Sequence, residues 1–209
     1  MKKTILTILL FLPALLLRAD DRSQELLRKM AAAFNGYNSY SITFTATMQG
    51  EFQDLDGKLI VSGEKYYLDV YDSEIFFDGR HGYTYSESND EVIIETPDPN
   101  DTRLFANPTK IFQVYERDFN SVYKGTTTIN GKSVSKLELT PKTANSGYSK
   151  VTLFADASGM PVRLVYRLSE YGKDLLLNVI QVSPNVPVTT NTFRFDPAKY
   201  PDVEVIDFR

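Results

Sequence analysis

Apolar and polar residues alternate along residues 57–97, in short runs separated by turn-forming residues. Side chains of a strand point to opposite sides with a period of two, so each run predicts a half-buried strand. About five strands within some forty residues leave no room for crossover helices, which predicts an antiparallel meander. Its apolar side chains would form one continuous surface, made of Leu59, Val61, Tyr66, Leu68, Val70, Ile75, Phe77, Tyr83 and Tyr85.

The same alternation continues outside the meander. Residues 39–48 predict a strand with Ile42, Phe44, Ala46 and Met48 on one face and threonines on the other. A turn is expected at residues 54–57, and strands resume after residue 122 around the hairpin signal Asn130-Gly131. The pattern predicts about eleven strands in all.

Two stretches have helical spacing instead. The first is residues 20–37, where the apolar stripe is Leu26, Met30, Ala33 and Phe34. The second follows three prolines within residues 96–119, with Asn107 and Pro108 placed to start a helix that carries Ile111, Phe112 and Tyr115. Such an insertion is either a lid over a binding site or a helix that covers the core, and spacing alone favours neither.

The first residues, MKKTILTILLFLPALLLRAD, contain two lysines and then an apolar run interrupted only by Thr7 and Pro13. A basic start followed by an apolar run too short to span a bilayer comfortably is typical of a signal peptide. Ala19 is the only small residue suitably placed for cleavage. We therefore expect residues 1–19 to be removed and residues 20–209 to form one exported, periplasmic domain; the alternative is an uncleaved N-terminal anchor.

The net charge of the chain argues against certain binding partners, and its lack of cysteine excludes lipid attachment and disulfides. Loss of Lys2, Lys3 and Arg18 takes the formal net charge from −4 to −7. An acidic chain argues against binding nucleic acid and against electrostatic docking on anionic lipid. The chain has no cysteine, so it has neither a lipid acceptor at the cleavage site nor disulfides, and one ordinary core must hold it together.

Few residues suggest catalysis. His81 is the only histidine, so the sequence offers no Ser–His–acid triad and no Cys or His zinc site. Gly79 and Gly82 lie in a hairpin, not in a phosphate-binding loop. We predict no catalytic residue, metal or cofactor. A pair of carboxylates acting as in a glycosidase stays open, although the acidic side chains of the meander lie on polar faces or in turns, where solvation explains them.

A sheet of this size cannot stay flat, because strand twist curls it. Covered by two short helices, it would form a half-open antiparallel barrel around an apolar hollow. A concave apolar hollow with polar groups at its mouth is what a lipid-binding site requires. The predicted fold is therefore mainly β, with a concave face covered by the N-terminal helix and a helical lid insert.

The order of segments resembles that of the periplasmic outer-membrane lipoprotein carrier family (LolA-like). The segments are SYSITFTATM, GKLIVSGEKYYL, DGRHGYTY, DEVIIE, the proline-bearing insert, LELTPK and FRFDP. The resemblance implies an incomplete barrel closed by a helical lid. It also implies a monomeric, non-enzymatic chaperone that takes lipoprotein acyl chains from an inner-membrane ABC exporter to an acceptor at the outer membrane.

By position, the resemblance places Phe44, Leu59, Val61, Tyr66 and Leu68 on the inner face, and Ile111 and Phe112 in the lid. With the alternating pattern added, the predicted acyl-chain site is Phe44, Ala46, Met48, Leu59, Val61, Tyr66, Leu68, Ile75 and Phe77. The predicted lid residues are Leu104, Phe105, Ile111, Phe112 and Tyr115.

One departure from the family concerns the lid. Well-known members have Arg-Pro just after the strand that corresponds to residues 59–61, and that arginine latches the lid. Here the segment is Ser62-Gly63-Glu64, without an arginine. We expect apolar contacts to hold the lid instead. Two other functions stay open: a lipid-binding sensor on the same fold, and an exported hydrolase that uses acidic residues.

Overall fold

A computed structural model describes residues 12–98, 108–110, 118–143, 147–169 and 171–209. Across these ranges the chain forms one α-helix and a single open sheet of twelve strands, which confirms the mainly β class and adds one strand to the predicted eleven. The helix is α1 (Leu12–Asn35). The strands are β1 (Tyr40–Met48), β2 (Phe52–Ser62), β3 (Lys65–Val70), β4 (Ser73–Phe77), β5 (Gly82–Ser86), β6 (Glu91–Glu95), β7 (Phe119–Ile129), β8 (Lys132–Pro141), β9 (Tyr148–Ala155), β10 (Pro161–Leu168), β11 (Asp174–Pro184) and β12 (Glu204–Asp207).

The sheet consists of two antiparallel meanders joined side by side. Its strand order is β12-β6-β5-β4-β3-β2-β1-β11-β10-β9-β8-β7, so the first meander meets the second where β1 pairs with β11. The hairpin predicted at Asn130-Gly131 connects β7 and β8, with positive φ at both residues, as a tight two-residue turn requires. The last strand, β12, pairs with β6 in parallel.

Helix α1 lies on one face of the sheet, called here the inner face. It begins at Leu12, within the stretch interpreted as a signal peptide, and ends at Asn35. Its buried side chains Leu27, Met30 and Phe34 are 1–2% exposed and belong to the same core cluster as the inner side chains of the sheet. At the β7 edge, the hydroxyl oxygens of Ser23 and Ser121 lie 2.8 Å apart. Within the described ranges, no helix combines the length and apolar character needed to cross a bilayer.

The sequence pattern predicted that residues 57–97 form one continuous apolar face. In the structure their apolar side chains are divided between the two faces of the sheet. Phe76 stands opposite Tyr83 in the β4–β5 pair, and Ile75 stands opposite Thr84. Residues that face each other across antiparallel strands lie on the same side of the sheet. Tyr83 and Tyr85 therefore share the outer face with Phe76, while Ile75 and Phe77 lie on the inner face. The turn after Phe77 changes which set of alternating residues is apolar.

The C-terminal segment covers this outer apolar patch. After β11 the chain forms two short 3₁₀ turns, Thr190–Phe193 and Pro197–Lys199, before it adds β12 at the sheet edge. Phe195 is buried in a cluster with Phe76, Tyr83, Val92 and Ile94. Its ring stacks on that of Tyr200, with centroids 4.8 Å apart. At the β4–β6 end, the sheet thus buries apolar side chains on both faces.

The turn predicted at residues 54–57 is wrong. The chain turns earlier, at residues 49–51, and β2 runs without a break from Phe52 to Ser62. Asp54 has a positive φ of 49°, and the β1–β2 register shifts between Ala46 and Met48, so this acidic stretch is an irregularity inside the strand. Gly57 lies in a regular part of β2, directly opposite Phe44.

Candidate functional site

A cavity of about 550 Å³ opens at one end of the inner face. It lies where α1 ends, β1 and β3 begin, and β2 and β4 end. The aromatic rings of Phe34, Tyr37, Tyr40, Tyr66 and Phe77 contribute to its wall. Its volume falls within the roughly 300–1,000 Å³ that is usual for small-molecule pockets.

The strand register places four cavity residues in one row across the sheet. Tyr40 on β1 faces Val61 on β2, which faces Tyr66 on β3, which in turn faces Phe77 on β4. The rings of Tyr66 and Phe77 lie 5.4 Å apart. Because cross-strand neighbours are only about 5 Å apart, this row forms a continuous wall.

The other predicted site residues lie behind this row, in the core. The next row consists of Ile42, Leu59, Leu68 and Ile75, and the row after it contains Phe44, Gly57 and Val70. Ala46 and Met48 follow farther along β1. Of the nine predicted residues, Val61, Tyr66 and Phe77 line the cavity. The remaining six, Phe44, Ala46, Met48, Leu59, Leu68 and Ile75, extend the same apolar surface inward.

Helix α1 supplies the side of the cavity that faces the sheet. The ring of Phe34 makes edge contacts with Tyr40, at 4.9 Å between centroids, and with Tyr37, at 5.9 Å. The sequence pattern had assigned Phe34 to a helical core stripe and had not included Tyr40 in the site. The sequence pattern could have placed Tyr40 on the inner face, because Tyr40, Ile42 and Phe44 are alternate residues of one strand and therefore point to the same side.

The mouth of the cavity is polar. Asn38, Glu64, Arg80 and Asp98 line it and are exposed. Gly63, in the segment where the resemblance led us to expect an arginine, also lines the cavity and has a positive φ of 60° in the β2–β3 turn. Arg80 comes from the β4–β5 turn, so the described cavity does have an arginine at its rim, at a different position in the sequence.

Part of the insert reaches the cavity. The 3₁₀ turn Pro108–Lys110 contacts β3, and Thr109, which is 6% exposed, lines the cavity. The predicted lid residues Leu104, Phe105, Ile111, Phe112 and Tyr115 lie outside the described residues. Of the predicted helix, the structure describes only the 3₁₀ turn Pro108–Lys110; Asn107 and residues 111–117 lie outside the described residues.

The hydroxyl of Tyr40 is buried beside the cavity without a partner. The residue is 2% exposed, and among the described side chains its oxygen is the one buried polar atom that lacks a hydrogen bond. Burial raises the pKa of Tyr40 well above its usual range, so the hydroxyl keeps its proton.

Several carboxylates of the meander have structural roles away from the cavity. Asp72 accepts hydrogen bonds from the hydroxyl of Ser88 and, with a smaller effect, from that of Ser86, and these bonds hold its pKa below the usual range. Burial raises the pKa of Asp78, but the backbone N–H groups of His81 and Arg80 outweigh this effect and lower it. These two carboxyl groups are therefore held as anions in turns.

Glu74 lies on the outer face, beneath the C-terminal segment. It accepts hydrogen bonds from the hydroxyls of Tyr67 and Tyr200, each at 3.1 Å. These contacts tie the C-terminal segment to β3 and β4. No cluster of histidine, aspartate or glutamate able to hold a metal ion is found in the described part of the chain.

Comparison with known proteins identifies the fold through structure and not through sequence. No family model and no curated protein sequence matches the chain. An uncharacterized conserved protein from Thermus thermophilus has a TM-score of 0.59 at 13% identity, over 89% of this chain and 99% of that one. A DUF1329 family protein from Desulfovibrio piger has a TM-score of 0.52 at 10% identity, over 84% and 97% of the two chains. These likenesses show a shared fold, and the fold alone.

A putative outer membrane lipoprotein-sorting protein domain from Vibrio parahaemolyticus has a TM-score of 0.49 at 13% identity, over 84% of this chain and 97% of that one. LolA-like proteins are among the structural neighbours of this chain. The family named for the order of segments thus has members among these neighbours, at low sequence identity.

Proposed function

We propose that this protein binds acyl chains in the cavity of its inner face. The observation that carries the proposal is the transverse row Tyr40–Val61–Tyr66–Phe77, which lines the cavity beneath a polar mouth. Apolar surface exposed inside a cavity is stabilised when an apolar ligand covers it. Each methylene group that a ligand buries contributes about 0.8 kcal/mol before the costs of association.

We further propose that the bound chain belongs to a lipoprotein and that the protein is a periplasmic carrier. The order of segments that resembles the lipoprotein carrier family supports this proposal, as does the export signal predicted at residues 1–19. In this role the protein would receive its cargo from an inner-membrane exporter and release it to an outer-membrane acceptor. A polar rim at the cavity mouth suits a cargo whose head remains in water while its chain is shielded.

Hydrolysis is a weaker alternative. A carboxyl group that acts as a general acid needs a raised pKa, but the pKa values of Asp72 and Asp78 are lowered and both side chains stabilise turns. Glu74 is enclosed by two tyrosine hydroxyls on the face opposite the cavity. The geometry of these carboxylates supports structural roles.

The binding proposal can be tested with one substitution on each face of the sheet. Phe77→Glu places a charge in the half-buried cavity wall, where an acyl chain would have to desolvate it. Ile60→Glu is the matched control, because Ile60 is also half-buried but faces outward from the neighbouring part of the sheet. We expect the affinity for a palmitoyl-linked fluorescent probe to fall at least about tenfold in Phe77→Glu and to stay near wild type in Ile60→Glu.

Both variants must melt cooperatively before their binding is compared. Unchanged affinity in a folded Phe77→Glu protein would place the ligand elsewhere. The carrier role needs a second assay, in which a labelled lipoprotein moves between two populations of vesicles. A protein that binds the probe but does not accelerate this transfer would be a sensor and not a carrier.

A further inference from the structure

Tyr40 combines two properties that seldom occur together. It stands at the start of β1 as part of the cavity wall, yet its hydroxyl is buried without a hydrogen-bond partner in the described part of the chain. Buried polar groups are nearly always satisfied, because an unmade hydrogen bond leaves the full cost of desolvation. An orphaned hydroxyl at a cavity therefore suggests a partner that arrives with a ligand.

Mostly apolar side chains surround the ring. Phe34 contacts it edge-on, Val61 stands beside it on β2, and the ring of Tyr37 lies 6.3 Å away between centroids. Of these three side chains only Tyr37 has a polar atom, and the Tyr40 hydroxyl makes no hydrogen bond to it. A tyrosine hydroxyl carries its proton at physiological pH, so an acceptor oxygen of a ligand can satisfy it.

We propose that the Tyr40 hydroxyl donates a hydrogen bond to the carbonyl oxygen of a bound acyl chain, and so makes the cavity selective for acyl esters and amides over plain hydrocarbon chains. This inference rests on the proposed binding of acyl chains. It adds a polar recognition point to a wall that otherwise attracts any apolar chain. The hydroxyl is closed to water in the free protein, so the entering chain has to part the side chains around it, and a carbonyl that then bonds to it is shielded from solvent.

The charges at the mouth favour a neutral carbonyl over a carboxylate. Glu64 and Asp98 contribute two negative charges to the described lining, and Arg80 contributes one positive charge. All three are exposed, so their effect is screened, but their balance opposes an anionic head group. A free fatty acid should therefore bind less well than its ester, although both carry a carbonyl.

The test compares probes that differ only at the carbonyl. Methyl palmitate, palmitate and hexadecane would each displace a polarity-sensitive dye from the wild-type protein and from Tyr40→Phe. We expect Tyr40→Phe to bind methyl palmitate about three- to tenfold more weakly, which is the loss of one hydrogen bond, and to bind hexadecane as the wild type does. Tyr171→Phe removes an exposed hydroxyl from a turn and should behave as wild type with every probe.

A spectroscopic measurement gives an answer even if the variant folds poorly. The carbonyl stretch of carbon-13-labelled methyl palmitate should appear at lower frequency when bound to the wild-type protein than in hexadecane, because a hydrogen bond weakens the C=O bond. In Tyr40→Phe the frequency should return toward the value in hexadecane. Tyr40→Phe should also melt at a higher temperature without ligand, because it no longer buries an orphaned hydroxyl.

Three results would overturn the inference. The first is a carbonyl frequency in the wild-type complex equal to that in hexadecane. The second is an equal change, or no change, in the affinities for methyl palmitate and hexadecane on Tyr40→Phe. The third is tighter binding of palmitate than of its ester, which would contradict the preference for a neutral carbonyl. If no probe binds the wild-type protein, the proposed function fails and this inference fails with it.

Discussion

The ring of Phe44 lies over the α-carbon of Gly57, its partner across the β1–β2 pair. A β-carbon built on Gly57 would stand 2.4 Å from the Cζ atom of Phe44, well inside van der Waals contact. Phe44 is 6% exposed, so its ring has little room to move away. Gly57 is therefore needed here for the close approach of a ring, as aromatic residues often cover glycine in sheets.

Gly57→Ala should lower the free energy of unfolding by about 1–3 kcal/mol, because the added methyl group overpacks the inner face. Urea denaturation of the variant measures this loss. Phe44→Leu removes the ring atoms that clash, so most of the penalty should disappear when Gly57→Ala is made in a Phe44→Leu background. The same penalty in both backgrounds would mean that the ring is not its cause.

A second close approach docks α1 on the sheet. A β-carbon on Gly159, in the β9–β10 turn, would lie 3.2 Å from the Cβ atom of Lys29 and 3.7 Å from the backbone of Leu26 and Met30. Gly159 also has a positive φ of 89°. Gly131 is a useful control, since its φ is 75° but nothing lies within 4 Å of its position for a β-carbon.

Gly159→Ala should therefore destabilise the protein more than Gly131→Ala does. Both changes strain the backbone, at a cost of about 1–3 kcal/mol, but only Gly159→Ala also pushes against the helix. Hydrogen exchange should show faster opening of α1 in Gly159→Ala and unchanged exchange in Gly131→Ala. Equal losses of stability, with α1 equally protected, would show that the helix does not depend on this contact.

The Tyr200 hydroxyl on the outer face should make the stability of the protein depend on pH in the alkaline range. Burial, and then the negative charge of Glu74, raise the pKa of Tyr200 from 10.0 to about 12. The folded protein thus holds a proton that the unfolded chain releases above about pH 10. The stabilisation from this group should be fully present and independent of pH below about pH 10, and should be lost as the pH rises from about 10 to 12.

Tyr200→Phe should make this alkaline loss of stability shallower, as measured by urea denaturation at a series of pH values. Glu74→Gln should reduce the slope less, because burial of the tyrosine remains when the charge is removed. At neutral pH, Tyr200→Phe should cost about 1–2 kcal/mol for its lost hydrogen bonds to a carboxylate. An unchanged alkaline slope would mean that Tyr200 titrates normally in the folded protein.

Local alternation was enough to predict most strands, because burial on one face imposes a period of two. It could not show which face each run occupies. Phe77 and Tyr83 belong to neighbouring strands with similar patterns, yet they lie on opposite faces. The turn between the two strands sets which face each residue occupies. The C-terminal segment, more than a hundred residues farther along the chain, buries Tyr83 on the outer face.

The same limit explains the error at Gly57 and the unpredicted pairing of β12. Glycine is typical of turns, which is why a turn was predicted at Gly57. In the structure Gly57 leaves room for the ring of Phe44, and this contact exists only because β1 and β2 pair in this register. The run at residues 203–208 is a short apolar alternation, which does not distinguish parallel from antiparallel pairing. Of the candidate site, the apolar wall could be predicted from the sequence, whereas the contribution of Phe34 and the unpartnered hydroxyl of Tyr40 required the three-dimensional arrangement.

The last prediction concerns the N-terminus. The described contacts that anchor α1 begin at Arg22, whose guanidinium lies 4.4 Å from the ring centre of Tyr123, and at Ser23, which bonds to Ser121. A chain that starts at Asp20 keeps them all and places two acids at the start of the helix, where the dipole favours negative charge. Residues 20–209 should therefore match the full chain within about 0.5 kcal/mol. A chain starting at residue 24 loses the contacts of Arg22 and Ser23, but Gln24 still donates to the Ser121 hydroxyl, so we expect a loss of only about 1 kcal/mol. N-terminal sequencing of the exported protein should begin at Asp20; recovery of residues 1–19 in the membrane fraction would contradict the predicted cleavage.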